Sequence, residues 1–324
     1  MLLLYIIIFL GSCLLLAWAS SWLVSLLAAI GRYLGWREFI VAFIVMAFAS
    51  TLPNLFVGIS SALRGIPQLS LSEIVGGNVV DLALTAALVV LLSKDALPAS
   101  SRMVQSSTIF TAGVAVAPLL LMLDGQLGRG DGLTLLLIFV FYLAWLFSKD
   151  ERFKKRYAAN GEKGAPVERF ANFGRNSFLI IFALAGMLLA SQGVVMSSVY
   201  FSQTLNLPLA IIGILIVGLA NCLPEIYFSV VSARKGQNWL VLGDLMGAII
   251  MPATLVLGIV CLISPIKIVD FNLFAIARIF LVVAAIVFLL AIRTGQKITR
   301  QEALILLAVY LSFVLAEIIA IRAG

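Results

Sequence analysis

The chain of 324 residues contains no histidine, three cysteines and few charges, with Asp, Glu, Lys and Arg making up only 11% of it. Without histidine there is no Ser-His triad, no imidazole metal site and no side chain that ordinarily titrates near neutrality. Cys13, Cys222 and Cys261 lie far apart in apolar stretches without C-x-x-C spacing, which gives no zinc site and no disulfide framework. They read as small buried hydrophobes. The scarcity of charge excludes more. Soluble proteins are about 25% charged and about 45–50% apolar, whereas 63% of this chain is hydrophobic and its mean hydropathy is +1.15. Such a chain cannot cover a water-facing surface, so a soluble enzyme, a secreted disulfide scaffold and a disordered chain are excluded. No nucleophile–base constellation or phosphate loop is visible, so the chain does not read as an enzyme, and no organic cofactor is implied. The +7 net charge reads as a signal of membrane orientation rather than of a nucleic-acid partner.

What is present is a series of hydrophobic runs, at about 2–29, 36–63, 71–93, 105–123, 131–148, 177–203, 207–233, 241–264, 273–292 and 303–321. Each is near the roughly 20 residues that a bilayer-spanning helix needs. The first run has an Ala17-Trp18-Ala19 stretch resembling a signal-peptide cleavage site, but it lacks a basic leading region and is too long, so it is read as a span. Lys149 to Asn176 is hydrophilic and basic. It divides the chain into residues 1–148 (spans one to five), a loop at 149–176, and residues 177–324 (spans six to ten). With the N-terminus outside, the loops assigned to the cytoplasm hold 17 of the 22 Lys and Arg residues. The expectation is a multi-pass protein of the cell (inner) membrane, with both termini outside and the central loop inside.

The halves are related. Residues 47–65 read AFASTLPNLFVGISSALRG and residues 218–236 read GLANCLPEIYFSVVSARKG, with Leu52-Pro53 matching Leu223-Pro224 and Gly65 matching Gly236. The same offset of 171 residues carries Leu69 to Leu240, Gly76 to Gly247 and Leu84 to Leu255 without a gap. Five spans per half is an odd number, so the second copy enters the membrane inverted. The expected fold is an all-α polytopic membrane protein of ten transmembrane helices, arranged as two inverted-topology five-helix repeats. Such repeats point to alternating access around a site near the bilayer midplane.

Pro53 and Pro224 fall mid-span at one repeat position, where a missing backbone donor frees carbonyl oxygens. Polar residues flank them: Ser50, Thr51 and Asn54 in one copy, Asn221, Cys222 and Glu225 in the other. Intramembrane carboxylates are costly and usually functional. Glu225 lies well inside the seventh span, and Asp81 lies in the third, shortly after Asn78. Glu73 and Asp244 share a repeat position near the starts of their spans, where dipole capping and ion entry are equal alternatives. Neutralisation of Asp81 or Glu225 by Arg278 is a further structural alternative, and Glu317 reads as structural. Carboxylates, amides, hydroxyls and freed carbonyls form an all-oxygen donor set, suited to hard cations such as Ca²⁺, Na⁺ and Mg²⁺.

The two repeats resemble the cation/calcium exchanger superfamily, most nearly its prokaryotic sodium/calcium exchangers. That family carries a G-T-S-x-P-E-like motif on the second or seventh helix and a G-S-N-x-F-N/D-like motif on the third or eighth. Here the first motif reads Ala49-Ser50-Thr51-Leu52-Pro53-Asn54 and Ala220-Asn221-Cys222-Leu223-Pro224-Glu225, and the second reads Gly76-Gly77-Asn78-Val79-Val80-Asp81 and Gly247-Ala248-Ile249-Ile250-Met251-Pro252. Asn54 departs from the family's glutamate, and Ala248, Ile249 and Pro252 have lost the polar groups of the last motif. The resemblance implies secondary antiport of a hard cation, Ca²⁺ first, in exchange for Na⁺ or H⁺. Glu225 and Asp81 would coordinate the ion, assisted by Asn54, Ser50, Thr51, Asn78 and Asn221, while the first and sixth spans slide. The expected partners are inorganic cations and the lipid bilayer; the oligomeric state is open. Monovalent Na⁺/H⁺ exchange and a transport-degenerate membrane sensor or subunit are the alternatives.

Overall fold

The computed structural model describes residues 1–33, 46–93, 96–100, 102–148, 166–236, 238–268 and 274–323. These residues form helical stretches α1 (Leu2–Tyr33), α2 (Met46–Leu63), α3 (Gln68–Leu92), α4 (Arg102–Leu121), α5 (Arg129–Ser148), α6 (Pro166–Leu205), α7 (Leu209–Arg234), α8 (238–263), α9 (Ala275–Arg293) and α10 (Arg300–Ala323). Among the described residues, eight helices are long and apolar enough to cross a membrane, and α2 adds a shorter apolar stretch, Thr51–Leu63. The molecule is therefore an all-helical, multi-pass membrane protein; eight helices, rather than the expected ten, meet the length and apolarity requirement. Residues 36–45 of the second expected span and 149–165 of the central loop lie outside the described residues.

Three helix starts differ from the hydrophobic runs. Helix α6 begins at Pro166 and has 40 residues, about 60 Å at 1.5 Å per residue, twice the roughly 30 Å of a bilayer's hydrocarbon core. A polar sequence in water can extend a helix that an apolar run has already nucleated, so hydropathy marks the span and not the helix. Helices α3 and α8 likewise start at Gln68 and Asn238, ahead of their apolar runs. Glu73 and Asp244 thus lie more than a turn inside their helices and are buried. They are not terminal caps.

The prolines do not interrupt their helices either. Pro53 and Pro224 both sit inside continuous helix. The departures from α geometry are π-helical segments at Val80–Thr85 in α3, Ile212–Val217 in α7 and Pro252–Val256 in α8. Such segments widen the turn by one residue and leave backbone groups out of register.

The 171-residue offset recurs in these details. The π segments of α3 and α8 occupy corresponding positions. Gly65 and Gly236 close α2 and α7 with φ of 72° and 74°, each amide donating three residues back, to Ala62 and Ala233. Helices α5 and α10 start at matching residues, and each is capped alike. The Gly128 amide donates to Asp131 Oδ2 at 2.8 Å and the Thr299 amide to Glu302 Oε2 at 2.7 Å, the capping-box contact. Four short strands, β1 (Leu97–Pro98), β2 (Gln126–Leu127), β3 (Ile266–Lys267) and β4 (Lys297–Ile298), pair across the halves, β1 with β4 and β2 with β3.

The main core joins α3, α7, α8, α9 and α10. A second core lies where α1 packs along α6, with Tyr5 stacked on Tyr200 at 3.8 Å. The approach of α3 to α7 depends on glycine. A Cβ on Gly76 would lie 2.1 Å from the Ile214 carbonyl oxygen, and one on Gly218 would lie 2.8 Å from the Gly77 amide nitrogen. Those two contacts bring the polar residues of both helices together.

Candidate cation site

Between α2, α3, α7 and α8 lies a pocket lined by Asn54, Glu73, Asn78, Asp81, Asn221 and Cys222, with Ile74, Gly77, Gly218, Ala248 and Pro252 completing the wall. Helix α3 contributes one face through residues 73, 77 and 81, spaced four apart and therefore aligned. The π segment at Val80–Thr85 carries Asp81, whose Oδ1 accepts a 3.0 Å hydrogen bond from Thr85 Oγ1. From α7, the Asn221 side-chain amide donates to Glu73 Oε1, and the Cys222 thiol donates to the Gly77 carbonyl at 3.5 Å.

Of the residues expected at the site, Asn54, Asn78, Asp81 and Asn221 line the pocket together. Glu225 is buried one turn further along α7; it does not line the pocket, but its carboxylate interacts electrostatically with Asp81 and Asp244. Thr51 is buried on α2 away from the lining. The side chain of Ser50 lies outside the described residues. The sequence reading left Glu73 among capping alternatives and took Cys222 for a plain apolar filler; both line the pocket. A signal for Glu73 was present, since the offset pairs it with Asp244, the one other acid at an equivalent buried position.

Four carboxylates thus lie buried in this region: Glu73, Asp81, Glu225 and Asp244. Asp244 accepts a 3.2 Å hydrogen bond from Ser229. Among the described residues no basic side chain acts on any of the four, and Asp81, Glu225 and Asp244 lie close enough to disfavour one another's charge. Arg278 sits in the first turn of α9, its Nε donating to the Phe274 carbonyl at 3.3 Å. Buried carboxylates without a counter-charge are expensive in a medium of low dielectric constant. Three oxygens are also buried without a hydrogen-bond partner: Asn54 Oδ1, Glu73 Oε2 and Glu225 Oε2. Unpaired acceptors at this density suit a positive ligand. Among the described residues no three Asp, Glu or Cys side chains converge as a metal site by themselves, so amide and backbone oxygens would have to complete any coordination shell.

Apolar helices around a buried acidic pocket define a multi-pass membrane protein with a polar, anionic centre. The sequence matches the model of the sodium/calcium exchanger protein family over residues 4–148 and 176–319, and the chain belongs to that family. It is 22% identical to sodium/calcium exchanger MaX1 of Methanosarcina acetivorans over 95% of this chain and 97% of that one. It is 24% identical to inner membrane protein YrbG of Escherichia coli, with 78% of each chain covered. Its fold is that of the sodium-calcium exchanger NCX_Mj, solved from crystals soaked with Na⁺ and Sr²⁺. The TM-score is 0.67 at 21% identity, covering 97% of this chain and 98% of that one.

Proposed function

We propose that the protein is a secondary active cation antiporter that moves a hard cation, Ca²⁺ in the first place, in exchange for Na⁺ or H⁺. The observation that carries this reading is the set of four buried carboxylates with no basic partner among the described residues, in which Glu73 Oε2 and Glu225 Oε2, like Asn54 Oδ1 nearby, lack a hydrogen-bond partner. Charge balance at such a centre has to come from cations or protons, and an exchanger supplies these alternately. Asp81, Glu73, Asn54, Asn78 and Asn221 would hold the ion, with Glu225 adding charge from one turn away and Thr51 and Ser50 on the same stretch of α2. Membership of the exchanger family supports transport rather than enzymatic catalysis.

Alternating access follows from an inverted repeat of two five-helix halves, and the repeated features support that arrangement. With both termini outside, β1 and β4 fall on the cytoplasmic side and β2 and β3 on the other. The observed pairs β1–β4 and β2–β3 each join loops assigned to one side. The relative named inner membrane protein YrbG supports placement in the cell (inner) membrane. Helices α1 and α6, packed together outside the pocket, are the elements that would slide to expose the site to either face.

One observation favours a second reading. Helix α8 offers the pocket only Ala248 and Pro252, neither with a ligating side chain. A shell this thin also suits Na⁺/H⁺ exchange, or a sensor or subunit that binds a cation without moving it. Cation-dependent thermal stabilisation of the purified protein tests the site itself. At Ca²⁺ one hundred times its dissociation constant, stabilisation of about 2.7 kcal/mol is expected, and Glu225→Gln should lose most of it. A melting temperature indifferent to Ca²⁺ and Na⁺ would remove the cation site. Binding without flux in vesicles would select the sensor.

A further inference from the structure

We propose that Cys222 is a cation ligand and gives the pocket a higher affinity for thiophilic divalent cations than its oxygen donors alone would give. This inference rests on the pocket's being the site of the exchanged cation. The Cys222 thiol is buried, faces the pocket and lies beside the Asp81 carboxylate. The thiol is a weak donor, so little is lost when its 3.5 Å hydrogen bond to the Gly77 carbonyl gives way to a metal. Glu73 Oε2, on the same wall, is buried and without a hydrogen-bond partner. It supplies a negative oxygen beside the sulfur, and Asn54 Oδ1 supplies a neutral one.

Sulfur alters which ion is preferred. Ca²⁺, Na⁺ and Mg²⁺ gain almost nothing from a thiolate, whereas softer divalent ions bind it strongly. The residue 171 positions earlier is Thr51, whose hydroxyl does not line the pocket. The sulfur therefore comes from one half alone, in a pocket where α8 adds no polar side chain. A mixed shell of one sulfur, carboxylate oxygen and amide oxygen suits an ion such as Cd²⁺. On binding, the thiol releases its proton to solvent as the metal–sulfur bond forms. No oxidation state changes.

The test uses the full chain in nanodiscs, with Cys13→Ala and Cys261→Ala so that Cys222 is the sole thiol. Equilibrium binding of ⁴⁵Ca²⁺ is measured with Cd²⁺ as competitor, and the ultraviolet spectrum is followed for a sulfur-to-cadmium charge-transfer band. In the sole-thiol protein, Cd²⁺ should displace Ca²⁺ at a concentration at least about tenfold lower than in the same protein with Cys222→Ser, the scale of losing one good ligand. The Ser variant should lose the band. Equal Cd²⁺ competition in both proteins, with Ca²⁺ bound and no band, overturns the role of Cys222 and leaves the cation site standing. Failure of both ions to bind the sole-thiol protein overturns the cation site, and this inference with it. If Cys222→Ser does not fold, the band decides alone: its presence supports sulfur ligation and its absence overturns it.

Discussion

Asn221 on α7 donates its side-chain amide to Glu73 on α3, joining the two halves across 148 residues of sequence. The other oxygen of Glu73 has no hydrogen-bond partner, so one side of the carboxylate is fixed and the other is available. Asn221→Ala should destabilise the protein by about 1–3 kcal/mol, the cost of leaving a buried acceptor unsatisfied. Glu73→Gln should lower cation affinity while keeping the contact through its own amide group. Thermal melting and Ca²⁺ titration of the single and double variants would show non-additive effects, since the two residues share one interaction. Additive effects would separate the contact from the site.

Thr85 holds Asp81 at 3.0 Å from within the same π-helical segment. Thr85→Val keeps the shape and removes the donor. A partner one step removed from a metal typically changes affinity about 10–100-fold, so Ca²⁺ binding should weaken by that factor, alongside a stability cost of about 1–3 kcal/mol for the unsatisfied acceptor. Thr85→Ser should restore it. Unaltered binding in the Val variant would show that Asp81 needs no positioning.

Close approach of α3 to α7 makes a further prediction about packing. A methyl group on Gly76 would meet backbone, the Ile214 carbonyl, at 2.1 Å, while one on Gly77 would meet the end of the Cys222 side chain at 3.4 Å. Overpacking costs about 1–3 kcal/mol, so Gly76→Ala should lower the melting temperature clearly and Gly77→Ala much less. Similar melting of the two variants would contradict the glycine contact.

The matched caps test the repeat. Asp131 accepts from the Gly128 amide, and Glu302 accepts from the Thr299 amide at the equivalent position. Asp131→Ala and Glu302→Ala should each cost about 0.5–2 kcal/mol. Glu302→Ala should cost the more, because Glu302 Oε2 also accepts a 2.8 Å hydrogen bond from the Thr299 hydroxyl, which is lost with the side chain. Chemical denaturation in detergent would measure both.

Much of this architecture was legible in the sequence because it is written in local terms. Among the described residues the apolar runs overlap the helices, and the offset that relates Pro53 to Pro224 also relates the closing glycines, the π segments of α3 and α8 and the two caps. What stayed hidden is non-local or geometric. That Asn221 reaches Glu73 depends on the way α3 crosses α7, which hydrophobic periodicity does not encode. The π segments arise from backbone register and leave no residue signature, so the irregularity was sought at Pro53 and Pro224. Glu73 and Asp244 seemed terminal because Gln68 to Ser70 and Asn238 are polar enough to fall outside an apolar run, though they are helical. Cys222 looked like filler because its neighbours in sequence are mostly apolar, while its neighbours in space are Asp81 and Asn221.

The most direct test of antiport is ⁴⁵Ca²⁺ uptake into proteoliposomes, first with an outward Na⁺ gradient and then with an outward proton gradient, using Glu225→Gln as the control. The account predicts uptake that follows one of the gradients and falls about 30-fold or more in Glu225→Gln, in line with the 2–5 kcal/mol typical of disrupting a buried charge interaction. Equal uptake by the folded Glu225→Gln protein, or none under either gradient from folded wild-type protein, would contradict it.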